Sequence, residues 1–301
     1  MNNPARPTIL ITGAAGRLGH KAVQHLLSLG LVNVVAGSRD PAKLGDLEAL
    51  GAEVRRVDFE DRESLVQAFS GIDRLLLVST NEIHQPGKRL SQHLAAVAVA
   101  AQAGVQHIAY TSIMNPGPES AIVFADDHRE TERAIVATGL RFTFLRNSFY
   151  QENVLIDAPS IQAGRLYTAA GEGNASYVSI ADCARAAAAS IGRGISGCFD
   201  ITGPDGLSTS QLMSAISRAT GKSVEVVQLD DVNMAKQCSS IGLPDRIVQV
   251  IISHEVAKRL NLFSQVTDSV RVLTGREPEP FSTFLANPHN VAALLNPASF
   301  G

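Results

Sequence analysis

Two clusters of polar residues in this chain stand at spacings that could move a proton. In Asp126-Asp127-His128-Arg129-Glu130-Thr131-Glu132, His128 and Glu132 are four residues apart, which on a helix puts both side chains on one face. A carboxylate there would hold the imidazole protonated and make His128 a proton donor; a surface ion pair is the plainer reading. The second cluster is Leu145-Arg146-Asn147-Ser148-Phe149-Tyr150-Gln151-Glu152-Asn153. Asn147, Phe149, Tyr150 and Asn153 could hold an amide or a substrate oxygen, with Tyr150 a second candidate proton donor. A catalytic phenol of the Tyr-x-x-x-Lys kind is activated by a lysine four residues on. Here Tyr110, Tyr150, Tyr167 and Tyr177 are followed at that distance by Met114, Val154, Gly171 and Ala181, so the pair is absent. The eight histidines show no ligand spacing, and no metal is expected.

Glycines carry a different chemistry. The segment Thr8-Ile9-Leu10-Ile11-Thr12-Gly13-Ala14-Ala15-Gly16-Arg17-Leu18-Gly19 runs from an apolar strand into a helix. Its Gly13, Gly16 and Gly19 follow Gly-x-x-Gly-x-x-Gly, not the usual Gly-x-Gly-x-x-Gly. Such a turn lets backbone N–H groups, here including those of Arg17 and Leu18, approach a pyrophosphate at a helix N-terminus. The chain is therefore expected to hold a dinucleotide. At the end of the second strand an acidic residue would bind a ribose 2′-hydroxyl, whereas Arg accommodates a 2′-phosphate. Arg39, Lys43 and Arg17 favour NADPH, and Asp40-Pro41 reads as a helix cap followed by Pro at N1. Asp58 and Phe59 would meet the adenine, while Ser79, Thr80, Asn81 and Thr111 would face the ribose and nicotinamide.

The elements that must position these residues alternate. Apolar runs near residues 8–11, 31–36, 53–57, 74–78, 107–111 and 141–146 are separated by helical segments. That order predicts an α/β fold, a doubly wound parallel sheet covered on both faces, with a smaller C-terminal α/β lobe for substrate. Residues 1–150 would form the nucleotide-binding core. Residues 151–301 would be mainly the lobe, with some segments returning to the core. Helices are expected at Ile180–Ile191 and Thr209–Thr220, the latter capped by Ser208 and stopped by Gly221. The tail from Gly275 shows little periodicity.

The bulk composition narrows the partners. The chain has 301 residues and a net charge of −3 without a basic tract, so nucleic acid is not expected. Cys183, Cys198 and Cys238 are odd in number and widely spaced, and read as free thiols. No stretch is long enough for a membrane span, and the polar N-terminus lacks a signal peptide. A cytoplasmic, soluble protein acting on a small molecule is expected, with a homodimer left open.

The glycine turn, Ser38-Arg39-Asp40-Pro41-Ala42-Lys43, Ile108-Ala109-Tyr110-Thr111-Ser112, Ala125 to Glu132, and Leu145 to Asn153 together resemble the NmrA-like atypical short-chain reductases. They are nearest to the NADPH-dependent quinone oxidoreductase and triphenylmethane-reductase branch. Gly242-Leu243-Pro244 extends the likeness into the C-terminal part, where it is mainly one of layout. The resemblance implies a Rossmann domain for NADP and a cleft beneath the lobe. It also implies a cofactor lining of Gly13–Gly19, Arg39, Ser79–Asn81, Asn147–Glu152 and Val178–Cys183. Ser38 and Asp40 depart from the common Arg neighbourhood. The expected activity is hydride transfer from NADPH to a quinone-like or other conjugated acceptor, whose reduced anion is delocalised and needs little help from an acid. Carbonyl, imine or azo reduction is an alternative. So is an NmrA-type redox sensor that binds NAD(P) without turnover.

Overall fold

Ile9, Leu10 and Ile11 are completely buried, and their side chains alternate between two cores, as a strand covered on both faces requires. In the computed structural model, which describes residues 6–296, they form β1 (Thr8–Ile11). Next come α1 (Arg17–Leu29), β2 (Asn33–Ser38), α2 (Gly45–Ala49), β3 (Glu53–Arg56), α3 (Arg62–Phe69) and β4 (Arg74–Leu77). The alternation continues through α4 (Lys88–Gln102), β5 (His107–Ile113), α5 (Ala125–Ala137) and β6 (Arg141–Asn147). Beyond it lie α6 (Ala158–Gln162), β7 (Arg165–Thr168), β8 (Asn174–Ala175), α7 (Ile180–Arg193), β9 (Gly197–Ile201) and β10 (Leu207–Ser208). The described chain ends with α8 (Thr209–Thr220), β11 (Glu225–Gln228), α9 (Asp231–Ser240), α10 (Asp245–Arg259), α11 (Ser269–Thr274), α12 (Phe281–Ala286) and α13 (Pro288–Leu295).

Seven strands form one parallel sheet in the order β3-β2-β1-β4-β5-β6-β9. This is a doubly wound, Rossmann-like sheet whose order reverses between β1 and β4, the place where ligands collect at the carboxyl ends. Ile9 and Ile11 pack with α1, α7 and α11 on one face. Leu10 packs with α3, α4 and α5 on the other. Alanines 184, 186, 187 and 188 of α7 are all buried, which brings that helix close to the sheet. Thus α7, β9 and α11 lie with the sheet although they follow the first lobe segments.

The lobe holds a parallel pair, β7 with β11, and an antiparallel pair, β8 with β10. Ser208 caps α8 through a full capping box with Gln211, and Gly221 ends it at φ 71°. The expected helix after Asp40 is a short 3-10 turn over Pro41–Leu44 leading into five-residue α2, with the Asp40 carboxylate accepting from Ala42 N–H. The aperiodic tail folds as α12 and α13, which begin at Pro280-Phe281 and Pro288. Such short helices show too few turns for periodicity to register.

Candidate active site

The turn after β1 is built by contacts that only glycine allows. Gly13 has φ +62°, and a Cβ on Gly19 would stand 2.3 Å from the Gly13 carbonyl oxygen. The first turn of α1 is thereby pressed against the strand end. No side chain caps α1, and its first turn carries no acidic residue. Gly13, Ala15, Gly16 and Arg17 are exposed, while Leu18 is buried and contributes only backbone. Free N–H groups at the positive end of a helix, with cations beside them, suit a diphosphate.

Thr12 ties this turn to β4, its hydroxyl accepting from Val78 N–H at 3.0 Å. Arg39 and Lys43 are both exposed beyond β2, and the Arg39 charge reaches the Lys88–Glu60 ion pair. Arg17, for its part, reaches the Glu152 carboxyl, which also accepts from Ile180 N–H at the start of α7. Asp58 accepts from Arg56 and from Glu60 N–H. Phe59 is half-buried against the core. The turn, the exposed cations and the strand ends are compatible with NADPH.

At the ends of β4 and β5 the structure closes polar groups on one another. Thr111 is buried, and its hydroxyl accepts from Ser79 N–H and donates to Ser79 Oγ. This corrects the expectation that Thr111 presents a hydroxyl to a ligand: it joins β5 to the loop after β4. Asn81 is exposed, and Thr80 Oγ1 is buried without a partner. Thr80 N–H donates to Nε2 of His93 at 3.0 Å, so the His93 proton sits on Nδ1, facing Thr131 and Tyr110.

His128 stands in the same network, with partners other than those its spacing suggested. Arg89 donates to His128 Nε2 at 2.7 Å, and the opposite nitrogen lies 2.8 Å from the Tyr110 hydroxyl. Because Arg donates, the His128 proton is on Nδ1. Burial, then Arg89, pushes the imidazole well below its ordinary pKa. Glu132 does not touch it: the carboxylate takes a forked contact from Arg146, at 3.0 and 2.6 Å, and a hydroxyl bond from Ser112. The expected protonated His128–Glu132 pair is therefore replaced by a neutral imidazole under a guanidinium. Strand β6 brings Arg146 to Glu132, a pairing across elements that helical spacing does not reveal.

Asn147, at the end of β6, donates to the Tyr150 hydroxyl at 3.1 Å, and its Oδ1 is buried without a partner. Burial, with a smaller push from Cys183, raises the Tyr150 phenol, and no lysine offsets it. Phe149 lies two residues past the end of β6. Its ring stacks on Phe263 with centroids 4.2 Å apart and meets His254 edge-on, so its side chain packs into the lobe. Phe149 and Asn153 line a lobe cavity of about 880 Å³, together with Tyr177, Leu212, His254 and Lys258. From Phe149 an aromatic chain runs through His254 to Phe124, whose ring lies under Arg89 with the guanidinium carbon 5.0 Å from its centroid.

Sequence reasoning missed Arg89, His93 and His254. The signal was present: Arg89 and His93 are one helical turn apart on the otherwise Ala-rich α4, and both are buried. Among the described residues no cluster of His, Cys, Asp or Glu could hold a metal.

Comparison with known proteins places this geometry. The chain is 36% identical to quinone oxidoreductase 2 of Escherichia coli over 252 residues, 82% of this chain and 87% of that one. It is 26% identical to an NAD(P)H azoreductase of Xenophilus azovorans over 288 residues, 94% and 98% of the two chains. A solved NADPH complex of an Escherichia coli NADPH-dependent quinone oxidoreductase superposes with a TM-score of 0.86 at 32% identity, covering 92% and 98% of the chains. The triphenylmethane reductase of Citrobacter sp., solved with NADP(H), gives 0.84 at 29% identity over 92% and 99%. The model of the NmrA-like family matches residues 5–277, and the chain belongs to that family.

Proposed function

We propose that this chain is an NADPH-dependent reductase that delivers a hydride to a quinone-like or azo acceptor. The observation that carries this reading is the start of α1, an uncapped helix end pressed onto Gly13 by Gly19, in a chain whose similar structures hold NADPH. Bound NADPH supplies the hydride. Arg39 would pair with the 2′-phosphate, the α1 N–H groups with the diphosphate, and the free Asn147 Oδ1 would accept from a carboxamide N–H. The acceptor would lie against Phe149 and His254, between the strand ends and the lobe cavity. Electron-poor conjugated acceptors suit a site without a Tyr-x-x-x-Lys acid. Their reduced anion is spread over the ring system and takes its proton from water, so rate depends on orientation and electrostatics.

Among the described residues no helix is long and apolar enough to cross a membrane. The same reading includes a cytoplasmic location and no nucleic-acid partner. The test is NADPH oxidation, followed by absorbance, against quinones, azo dyes, ketones and imines. Turnover confined to conjugated acceptors is the expected result. Tight NADPH binding with no turnover anywhere in the panel would replace the reductase with a redox-sensing regulator.

A further inference from the structure

A guanidinium removed from water is costly unless a carboxylate accompanies it. Arg89 is only 5% exposed, and no Asp or Glu among the described residues forms an ion pair with it within 4 Å; the Asp127 carboxylate acts on it only through its field. What touches it is a neutral imidazole, His128, at 2.7 Å, the Tyr110 hydroxyl and the face of Phe124. Its Nε is buried with no hydrogen-bond partner. The helix places this charge at the first turn of α4, one turn before His93, whose ring accepts from Thr80 N–H past the end of β4. Its field reaches Tyr110 and Tyr150, and Tyr150 is bonded to Asn147 at the end of β6. From the other side the lobe closes over it, through His254 of α10 on Phe124 and Arg246 of the same helix on the Ile83 carbonyl. A second buried orphan, Thr80 Oγ1, stands on the same network through His93.

We propose that Arg89 is a catalytic residue that stabilises the negative charge appearing on an acceptor oxygen as hydride arrives. This rests on the reductase reading above. For a quinone, one carbonyl oxygen gains the hydride as a new O–H bond, NADPH is oxidised to NADP+, and the displaced π electrons move through the ring onto the distal oxygen. Solvent then supplies the one proton that turns the hydroquinone anion into the neutral product. Arg89 gives up no proton. A neutral acceptor meets the guanidinium weakly and the forming oxyanion meets it strongly, so the contact favours the transition state over the ground state. His128 positions the fork by accepting one of its N–H groups, which explains why that histidine must stay neutral. Phe124 supports the guanidinium face and keeps water from it.

The test uses a probe that needs no turnover, 4-nitrophenolate, bound to the NADP+-loaded protein at a pH where the phenol is ionised. Its methyl ether, 4-nitroanisole, is the neutral control. The wild type should prefer the phenolate by at least about tenfold. Arg89→Met should abolish that preference and lower kcat for quinones about 100- to 1000-fold, with the NADPH dissociation constant moving less than about threefold. Arg89→Lys should keep part of both. Equal binding of phenolate and ether by the wild type overturns the proposal, and this needs no variant should Arg89→Met fail to fold. Loss of NADPH affinity in Arg89→Met with the phenolate preference intact also overturns it, because Arg89 would then serve the cofactor. Quinone turnover without any phenolate preference leaves the reductase standing and removes Arg89. An Arg89-dependent preference in a protein that reduces nothing keeps the oxyanion site and removes the reductase.

Discussion

The carbonyl oxygen of Gly13 lies 2.3 Å from the point where a Cβ on Gly19 would stand, and the carbonyl carbon 2.8 Å. Neither atom can yield, because both are backbone in the tight turn between β1 and α1. Gly19→Ala should therefore move the start of α1 away from β1, destabilise the protein by about 1–3 kcal/mol and weaken NADPH by at least about tenfold. Gly45→Ala is the control, since it has φ −60° and a Cβ there meets nothing within 4 Å. That change should be neutral or stabilising by about 0.4–1 kcal/mol. Equal tolerance of the two alanines, measured by urea unfolding and NADPH titration, would show that the close approach is not what Gly19 is for.

Arg39 is exposed just past β2, while Asp40, its neighbour, uses its carboxylate to cap the following turn. A charge-assisted contact to a phosphate contributes about 1.5–3 kcal/mol. Arg39→Ala should weaken NADPH roughly 10- to 100-fold and leave NADH nearly unchanged. Parallel dissociation constants for the two cofactors read this directly. Equal losses would mean that Arg39 does not distinguish the 2′-phosphate, and Lys43 and Arg17 would be the next to vary.

What was legible in the sequence was what local rules control. The glycine turn, the alternating apolar strands, the Asp40 and Ser208 caps and the Gly221 stop each depend on residues within one turn of each other. What was not legible depends on which elements become neighbours. Helical spacing pairs His128 with Glu132, but β6 delivers Arg146 to Glu132 and α4 delivers Arg89 to His128. Likewise Phe149 is two residues from Asn147 in sequence, but Phe263, 114 positions on, supplies its stacking partner. The parallel pairing of β7 with β11 was hidden for the same reason, since each strand is four residues long.

The Glu132–Arg146 pair makes a sharper test of that difference. Glu132 is 6% exposed, and the pair raises the Arg146 pKa, chiefly through the hydrogen bond from its guanidinium. Glu132→Ala leaves a half-buried guanidinium without its carboxylate, which should remove up to about 3–5 kcal/mol of stability. Replacing both residues, Glu132→Met with Arg146→Met, should recover much of that loss. In the Glu132→Ala protein the His128 ring should still be neutral at pH 7 by NMR, because Arg89 and burial set its state. A His128 titration that shifts as strongly as a lost carboxylate neighbour demands would restore the helical pair.

Acid should unfold this protein through its histidines. Burial lowers His93 to about 3 and His107 and His254 to about 4, with Arg89, Arg141 and Lys258 respectively adding to the effect. The unfolded chain takes these protons near pH 6.5, whereas the folded chain refuses them until pH 4 or below. Their contribution to stability is therefore complete above pH 6.5 and declines as pH falls, by up to about 1.4 kcal/mol per pH unit for each histidine. The decline ends near pH 4 for His107 and His254, and near pH 3 for His93. Asp157 works in the opposite sense: burial raises it from 3.8 to about 6, so the folded carboxyl gains its proton first and returns stability between those values. Burial also lowers His128 and raises Asp127, Glu152 and Asp200, but the imidazoles of the unfolded chain take protons at higher pH than ordinary carboxylates do, and stability by urea unfolding should fall between pH 6.5 and pH 5. His107→Gln keeps a donor for Thr143, which His107 reaches through Nε2 at 2.8 Å, and should flatten the acid limb. A stability that is level or rising between pH 6.5 and pH 5 would mean that these imidazoles are already charged in the folded protein.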